Sequence, residues 1–408
     1  MAVRANKPAF NIREKLKELT HNIGLKGREL MRAATVQDAR DLVSAGRKNL
    51  IINGDFRIDQ RGGPHTTVTN YHLDRWKFQK DGLAEYTHSV TSSTDAPNGF
   101  SKSLRLEVTA TETSGVSSTE DLALTQEMEG QDLQLLAAGT SSAKPFTLSF
   151  WVKSTKPGVY CVSVVADPNT GNKIFSTTYT IKSASVWEYK VIKVPACTLT
   201  TITNSSGRGM SVRWLTIAGS SYTTASGGNL HEWDDYHSSL FAGGHQTQLI
   251  TDGDVWQITG VQLEVGKNAT DFEHRSYGEE LALCQRYFYR FSASTNQTFW
   301  NALCNSNSND IVNTNATYWR CHVNFPVSMR DAPDATKLNF VSTGGSRYFV
   351  IPGYRAVSST FLNSDPEISA VNKNWSWLQV YEDASNTIAQ GSTFILECAF
   401  TADFDAEL

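Results

Sequence analysis

The chain has 408 residues, of which 40% are hydrophobic and 11% aromatic, so it can bury more than one core. Its net charge of −4 is unevenly divided, with 11 basic and 5 acidic residues in positions 1–48 against 26 and 36 in the remainder. No run of about 18 apolar residues suggests a membrane span, and the first ten residues lack the apolar core of a secretory signal. We therefore expect no membrane insertion, and a basic arm on an acidic body.

The arm, residues 1–48, predicts two short helices. Ile12, Leu16 and Leu19 recur at helical spacing, and a second pattern ends at Gly46. Neither helix is long enough to be stable alone in water. We interpret the arm as an attachment segment that docks on a larger assembly or trimerises within it, and the alternative is a helical cap packed on its own domain. Its basic residues alternate with apolar ones, which favours a protein partner over nucleic acid.

The central part, residues 49–275, predicts about nine strands separated by polar turns. Their alternating segments are 49–56, 71–78, 103–109, 146–153, 158–165, 173–181, 187–194, 210–217 and 255–265. This pattern is typical of a two-sheet β-sandwich of jelly-roll type. Four tryptophans fall in these segments and are expected in the core: Trp151, Trp187, Trp214 and Trp256.

A short helix is predicted directly after the last of these strands. Ser276 is its expected N-cap, and Glu279, three residues later, is the capping-box partner. Beyond the helix the strand-like patterns return, punctuated by Pro326 and a turn at 330–333, which predicts a second, smaller β-sandwich. The expected fold is therefore mainly β, with a helical attachment segment at 1–48, a jelly roll at 49–275 and a C-terminal sandwich at 276–408.

The sequence gives little support for a metal or other cofactor. Its six cysteines are widely spread, without CxxC pairs or histidines at zinc-finger spacing, so we expect buried reduced thiols. Asn53, Gly54 and Asp55 could offer oxygen ligands to a structural Ca²⁺. Ca²⁺ requires about six or more oxygens, and the others are not identifiable, so a plain turn is the preferred interpretation.

The densest cluster of polar and aromatic residues is 231–237 (HEWDDYH), which lies between glycine-rich stretches and predicts an exposed loop. Trp233 and Tyr236 could stack on a sugar ring, and Asp235 could contact its hydroxyls. The same cluster could instead bind a metal, or Glu232 and Asp235 could act as an acid–base pair. No geometry is fixed by the sequence, no catalytic residue is assigned, and catalysis is the weaker interpretation.

Several segments of the chain, spread over roughly residues 30–290, resemble one family of virion proteins. They are AATVQDARDLVSAGRKNLIINGDF (33–56), DRW (74–76), FTLSFWVK (146–153), VWEYKVIKVP (186–195), WQITGVQLEVG (256–266) and ATDFEHRSYGEELALCQRYFYR (269–290). Together they look like a carbohydrate-binding-module-like jelly roll in bacteriophage tail fibres or receptor-binding proteins, especially of marine phages. The phrase FPVSMRDAP (325–333) is similar to the C-terminal portion of the same family.

This resemblance implies a non-enzymatic structural protein of the virion tail, made in the host cytoplasm. It would form a homotrimer, attach to tail or adaptor proteins through residues 1–48, and recognise a host cell-surface glycan or receptor, without binding nucleic acid. One alternative is a purely structural adaptor or capsid decoration without host contact. Another is a polysaccharide depolymerase, which would need two carboxylates at glycosidase separation in a groove.

Overall fold

The computed structural model describes residues 48–66, 70–167, 171–293, 304–305, 318–333, 348–351, 354–357, 367–381, 393–397 and 400–408. The chain forms two compact units, residues 1–49 and 50–408. The two helices predicted in the arm lie outside the described residues. Among the described residues, no helix is both long enough and apolar enough to cross a membrane.

The described part of residues 70–265 contains twelve antiparallel strands. They are β1 (Asn70–Leu73), β2 (Trp76–Asp81), β3 (Thr87–Ser93), β4 (Ser103–Ala110), β5 (Asp121–Glu129), β6 (Phe146–Ser154), β7 (Gly158–Ala166), β8 (Lys173–Ile181), β9 (Glu188–Val194), β10 (Arg208–Ala218), β11 (Trp233–Asp235) and β12 (Val255–Val265). Short helical segments join some of them: the 3₁₀ helices Gly130–Leu136 and Ser238–Leu240, and α1 (Ser220–Thr223).

The strands form two sheets that pack face to face. The seven-stranded sheet has the order β1-β2-β5-β10-β7-β8-β11, and the five-stranded sheet has the order β3-β4-β12-β6-β9. Alternate side chains of both sheets point into one core, as period-two patterns require. The ring of Trp214 lies 5.7 Å from that of Trp76 and 5.7 Å from that of Phe150. The predicted mainly β fold with a central sandwich is confirmed, as is the core position of Trp214 and Trp256.

Segment 50–56 lies against β12 but forms bends and a turn, so the strand predicted there is wrong. Asn53 and Phe56 both have a φ of 56°, which interrupts an extended backbone. Val261 N donates to Gly54 O at 2.9 Å. A Cβ atom on Gly54 would lie 2.2 Å from Val261 O, so only glycine permits this approach.

Residues 71–78 form parts of two strands, although the sequence predicts one. β1 and β2 are joined by a tight turn in which Arg75 has a φ of 71°. The turn brings the indole of Trp76 to Asn53, whose carbonyl oxygen accepts from Nε1 at 2.9 Å. The Asn53 amide in turn donates to the carbonyl of Asp74 at 3.0 Å. The residues that make NGDF and DRW recognisable therefore bind one another inside the protein.

Helix α2 (Tyr277–Gln285) begins with the predicted capping box, which is confirmed. Ser276 Oγ accepts from Glu279 N at 3.3 Å, and Ser276 N donates to the Glu279 carboxylate at 2.9 Å. The buried carboxylate of Glu280 accepts a hydrogen bond from Asn53 N. The helix is thereby fastened to segment 50–56.

Nine strands follow α2 in the described residues. They are β13 (Phe288–Ala293), β14 (Cys304–Asn305), β15 (Tyr318–Asn324), β16 (Tyr348–Ile351), β17 (Tyr354–Val357), β18 (Glu367–Val371), β19 (Trp375–Tyr381), β20 (Thr393–Glu397) and β21 (Phe400–Asp405). β13 pairs with β21, and two further antiparallel sheets have the orders β14-β20-β16-β17 and β15-β19-β18. Residues 50–408 form one compact unit, and the subdivision at residue 276 stays a prediction.

At the end of β21 and directly after it, acidic side chains form buried ion pairs with arginines of the sandwich. The guanidinium of Arg75 pairs with Glu407 and lies 3.4 Å from the ring centroid of Tyr287. That of Arg61 lies 3.7 Å from the ring centroid of Phe288. We name the place where these segments meet the junction, made of residues 50–61, 71–76, 277–288 and 404–408.

Three cysteines have described side chains, and all are buried free thiols: Cys161, Cys197 and Cys284. Burial raises the pKa of each. The prediction of buried reduced thiols is confirmed for these three.

Candidate functional site

Trp233, the first of the sequence-predicted ligand contacts, lies on edge strand β11 and turns inward. Its ring centroid is 6.0 Å from that of Phe175 and 6.4 Å from that of Phe146. Its Nε1 donates to Pro195 O at 2.8 Å. The indole therefore covers one end of the sandwich core, and only part of it remains exposed.

Asp235 and Tyr236 lie on the surface beside it. The Asp235 carboxylate pairs with Lys173, whose hydrogen bond and charge lower the pKa of Asp235. Tyr236 is 42% exposed. The structure therefore brings Asp235 and Tyr236 into solvent and leaves Trp233 half-buried, so the three side chains do not form one exposed surface.

The metal alternatives find no support in the described residues. No group of three or more His, Cys, Asp or Glu side chains there is arranged to hold a metal ion. At the calcium candidate, Asn53 Oδ1 accepts from Ile58 N at 3.0 Å and its Nδ2 donates to Ile58 O at 2.8 Å. Asp55 pairs with Arg57. Asn53 therefore serves the fold of the turn, whereas Asp55 Oδ1 is buried without a hydrogen-bond partner among the described residues. The two side chains offer fewer oxygens than the roughly six that Ca²⁺ requires.

A second candidate surface, which the sequence reasoning missed, is the outer face of the five-stranded sheet. Trp151 on β6 faces outward, because it alternates with the buried Phe150 and Val152. It lies opposite Tyr189 on β9 in the strand register, and their ring centroids are 5.3 Å apart at an angle of 45°. Tyr189 is 43% exposed. Two aromatic side chains thus lie next to each other at the surface.

Polar groups lie beside these rings. Trp187 is also only partly buried, and its Nε1 donates to the Asp95 carboxylate at 3.2 Å. Lys153 pairs with Asp95, and its Nζ is 5.1 Å from the ring centroid of Trp187. Burial alone would raise the pKa of Asp95, but the hydrogen bonds from Lys153 and Trp187 outweigh it and lower that pKa. We name Trp151, Trp187 and Tyr189 the aromatic platform.

The loop that follows β3 limits the aromatic platform on its β12 side. Ser103 Oγ donates to Asp95 O at 2.6 Å, which holds this loop against the sheet. Its Phe100 packs on Gly260, where a Cβ atom would lie 2.6 Å from Phe100 Cζ and where φ is +61°. Phe272 is 5.1 Å from Phe100, ring centroid to ring centroid. The loop and Phe272 thus separate the aromatic platform, on β6 and β9, from the rest of the face.

The expectation that all four strand tryptophans belong to the core is wrong for Trp151 and Trp187. Both are partly exposed on the outer face, whereas Trp214 and Trp256 are fully buried. The alternation along β6 already indicates the outward position of Trp151. It lies between two inward-facing apolar residues and must therefore point outward.

Comparisons with known proteins find similar solved structures but no similar sequences. No protein-family model matches the chain, and no curated protein matches it. The enzymatically active domain of bacteriophage CBA120 tailspike protein 4 is similar at TM-score 0.30 and 13% identity, over 53% of this chain and 21% of the tailspike chain. This chain thus spans about a fifth of that tailspike's length.

Two carbohydrate-binding modules are similar over almost their whole length. The family 11 module of a Clostridium thermocellum cellulosomal cellulase has a TM-score of 0.26 and 10% identity over 51% of this chain and 99% of the module. The xylan-binding domain CBM22-1 of Paenibacillus barcinonensis Xyn10C has a TM-score of 0.26 and 10% identity over 55% of this chain and 100% of the domain.

Proposed function

We propose that the sandwich binds a saccharide on the aromatic platform. The observation that carries this proposal is the pair Trp151 and Tyr189, two adjacent rings that share an exposed sheet face. Aromatic faces offer apolar area to the C–H side of a sugar ring. Lys153 and Asp95, which lie beside Trp187, can donate to and accept from the sugar hydroxyls. Ligand sites are usually composed of aromatic and apolar side chains with a small number of polar groups beside them.

The biological role we propose is that of a bacteriophage tail fibre that holds a host-surface glycan without cleaving it. Support comes from the sequence resemblance over roughly residues 30–290. In this proposal residues 1–48 attach the protein to the tail, and three copies present their platforms together. Weak sites repeated in one assembly give firm adhesion, because the second and third contacts form at high effective concentration.

Affinity electrophoresis of the full chain tests the binding proposal, in native gels containing xylan, mixed-linkage β-glucan or bacterial lipopolysaccharide. We expect at least one polymer to retard the protein, and a Trp151→Ala/Tyr189→Ala variant to migrate as in a polymer-free gel. Leu199→Ala, which also truncates an exposed apolar residue, is the matched control and should be retarded like the wild type. Retardation of the double variant, or of neither protein in any gel, would overturn the proposal.

The absence of cleavage and the role in assembly need separate measurements. Reducing ends should not accumulate when the retarding polymer is incubated with the protein, whereas a depolymerase would release them. Light scattering should give the mass of a trimer. Deletion of residues 1–48 should leave the β-sheet circular dichroism intact but prevent incorporation into particles, and incorporation of the shortened chain would contradict the attachment role.

A further inference from the structure

The seven-stranded sheet carries a groove on its outer face, on the side of the sandwich opposite the aromatic platform. Its volume is about 470 Å³. Strands β2, β5 and β10 supply one wall together with Asp167, which follows β7, and Asn172, which precedes β8. The chain near Arg330 and Leu408 supplies the other. We name it the charged groove, and the side chains that define it are Lys77, Glu127, Asp167, Asn172, Arg208 and Arg330.

Three cations and two carboxylates face one another in the charged groove. Glu127 lies 3.0 Å from Lys77 Nζ and 3.0 Å from Arg208 Nη1. Burial alone would raise the pKa of Glu127, but these two cations outweigh it and lower that pKa. Arg330 donates to the carbonyl oxygens of Ser206, Ala406 and Glu407, and in the part of the chain that the structure describes no carboxylate side chain pairs with it. Among the side chains that line the groove, three cations therefore face two carboxylates.

Asp167 has hydrogen-bonding capacity that the fold does not use. Its side chain is only 8% exposed. Oδ1 accepts from Arg208 Nη2 at 3.0 Å. Arg208 Nε lies 3.0 Å from Oδ2, an ionic contact whose geometry does not make a hydrogen bond, and Oδ2 has no hydrogen-bond partner among the described residues. Buried carboxylate oxygens in this state are uncommon, because they lose their water without a replacement donor.

Two hydroxyls on the same face of the sheet also lack a hydrogen-bond partner in the described part of the chain. Ser211 lies opposite Glu127 in the register of β10 and β5, and Thr125 lies opposite Lys77 in that of β5 and β2. Both hydroxyls are buried and lack a hydrogen-bond partner among the described residues. Because these positions alternate with core residues, they belong to the outer face. Oxygen atoms without hydrogen-bond partners in the part that the structure describes thus lie on the sheet face that carries Glu127 and Lys77.

We propose that the charged groove binds a sugar acid, a saccharide that carries both hydroxyls and a carboxylate. The ligand hydroxyls donate to Asp167 and bond to the Asn172 amide, and the ligand carboxylate pairs with Arg330. Carboxylate acceptors bind sugar hydroxyls strongly because the hydrogen bonds are charge-assisted. The groove volume of about 470 Å³ falls in the range of small-ligand sites and accommodates one or two sugar residues. This site is independent of the aromatic platform, so either can exist without the other.

Isothermal titration of the full chain with sodium D-glucuronate tests the proposal, with D-glucose as the neutral twin. We expect saturable binding of glucuronate at one site per chain, and at least tenfold weaker binding of glucose. The glucuronate affinity should fall as salt is raised, because the Arg330 contact is ionic. No glucuronate binding by the wild type, or equal affinity for glucose, would overturn the inference.

Asp167→Asn separates a binding role from a structural one. Burial raises the pKa of Asp167 despite Arg208 and Arg213, so its charge is unfavourable in the folded state and the variant should melt at the wild-type temperature or above it. We expect glucuronate affinity to fall at least tenfold in this variant. Asp252→Asn, an exposed position in the turn before β12, is the matched control and should keep the wild-type affinity. Unchanged glucuronate affinity in Asp167→Asn, whatever its melting temperature, would contradict the proposal.

Discussion

The junction and the aromatic platform use aromatic and charged side chains in opposite ways. In the junction, Arg75 is fully enclosed, paired with Glu407 and stacked on Tyr287. On the platform, Tyr189 is 43% exposed next to Trp151. The same residue types therefore close one region and leave the other open, and the difference lies in how completely neighbours satisfy them.

This difference shows which parts of the sequence are easiest to recognise. The phrases NLIINGDF, DRW and YGEEL come together in the junction, where Trp76 and Glu280 both form hydrogen bonds with the backbone of Asn53. They identify a fold because each side chain has a fixed partner. The platform residues come from ordinary strands and are partly exposed, so the fold constrains their identity less.

The largest expected effect is in the junction. Glu407→Ala should lower the free energy of unfolding by about 3–5 kcal/mol, because it leaves the Arg75 guanidinium buried without its partner. Urea denaturation followed by tryptophan fluorescence measures this change. The double variant Arg75→Met/Glu407→Leu should recover most of the loss, since no unpaired charge remains. A single variant within about 1 kcal/mol of the wild type would show that the pair is not structural.

Acid should weaken the interior while sparing the platform. Burial lowers the pKa of His88 to about 4 from 6.5, and neither ring nitrogen has a hydrogen-bond partner among the described residues. The unfolded chain therefore binds a proton that the folded chain excludes. Stability should be complete above pH 6.5 and fall between pH 6.5 and 4, by about 3 kcal/mol for this ring. Denaturation midpoints at several pH values test this, and His88→Phe should show a shallower decline; an equal slope would refute it.

On the platform the balance should reverse, with a large effect on binding and a small one on stability. Tyr189→Ala should weaken saccharide binding by about 2 kcal/mol, as loss of a central aromatic contact does. Its free energy of unfolding should change by about 1 kcal/mol or less, because the side chain is exposed. Titration with the retarding polysaccharide gives the first value and urea denaturation the second. Tyr189→Phe should bind almost as the wild type. If it loses as much affinity as Tyr189→Ala, the binding free energy comes from the hydroxyl and not from the ring.

The smallest effect is expected at the edge of the seven-stranded sheet. Tyr236→Ala should change the free energy of unfolding by about 0.5 kcal/mol or less, because the ring is 42% exposed. Saccharide affinity should also stay at the wild-type value. If the affinity falls in this variant and not in Tyr189→Ala, the ligand binds at the loop of residues 231–237.

Local rules predicted much of the fold but not which apolar residues face outward. The capping box of α2 needs only Ser276 and Glu279, so sequence alone identifies it. The turn at Arg75 was missed, because its positive φ is maintained by the distant Glu407 and Tyr287.

The site was harder to predict for the same physical reason. A cluster such as 231–237 is conspicuous in sequence, yet Trp233 is drawn inward by Phe146 and Phe175, which lie far away along the chain. The platform joins β6 and β9, and only the strand register shows that Trp151 and Tyr189 are neighbours. Residues that meet across a sheet leave no common motif.

The pairing of β13 with β21 has an evolutionary consequence. The chain leaves the sandwich along β13 and comes back along β21, and these two strands lie side by side. Length variation between these two strands, outside the stretch around Arg330 that bonds to Ser206 and Ala406, would keep Glu407 beside Arg75. Sequence change in that part of the chain would thus leave the junction as it is.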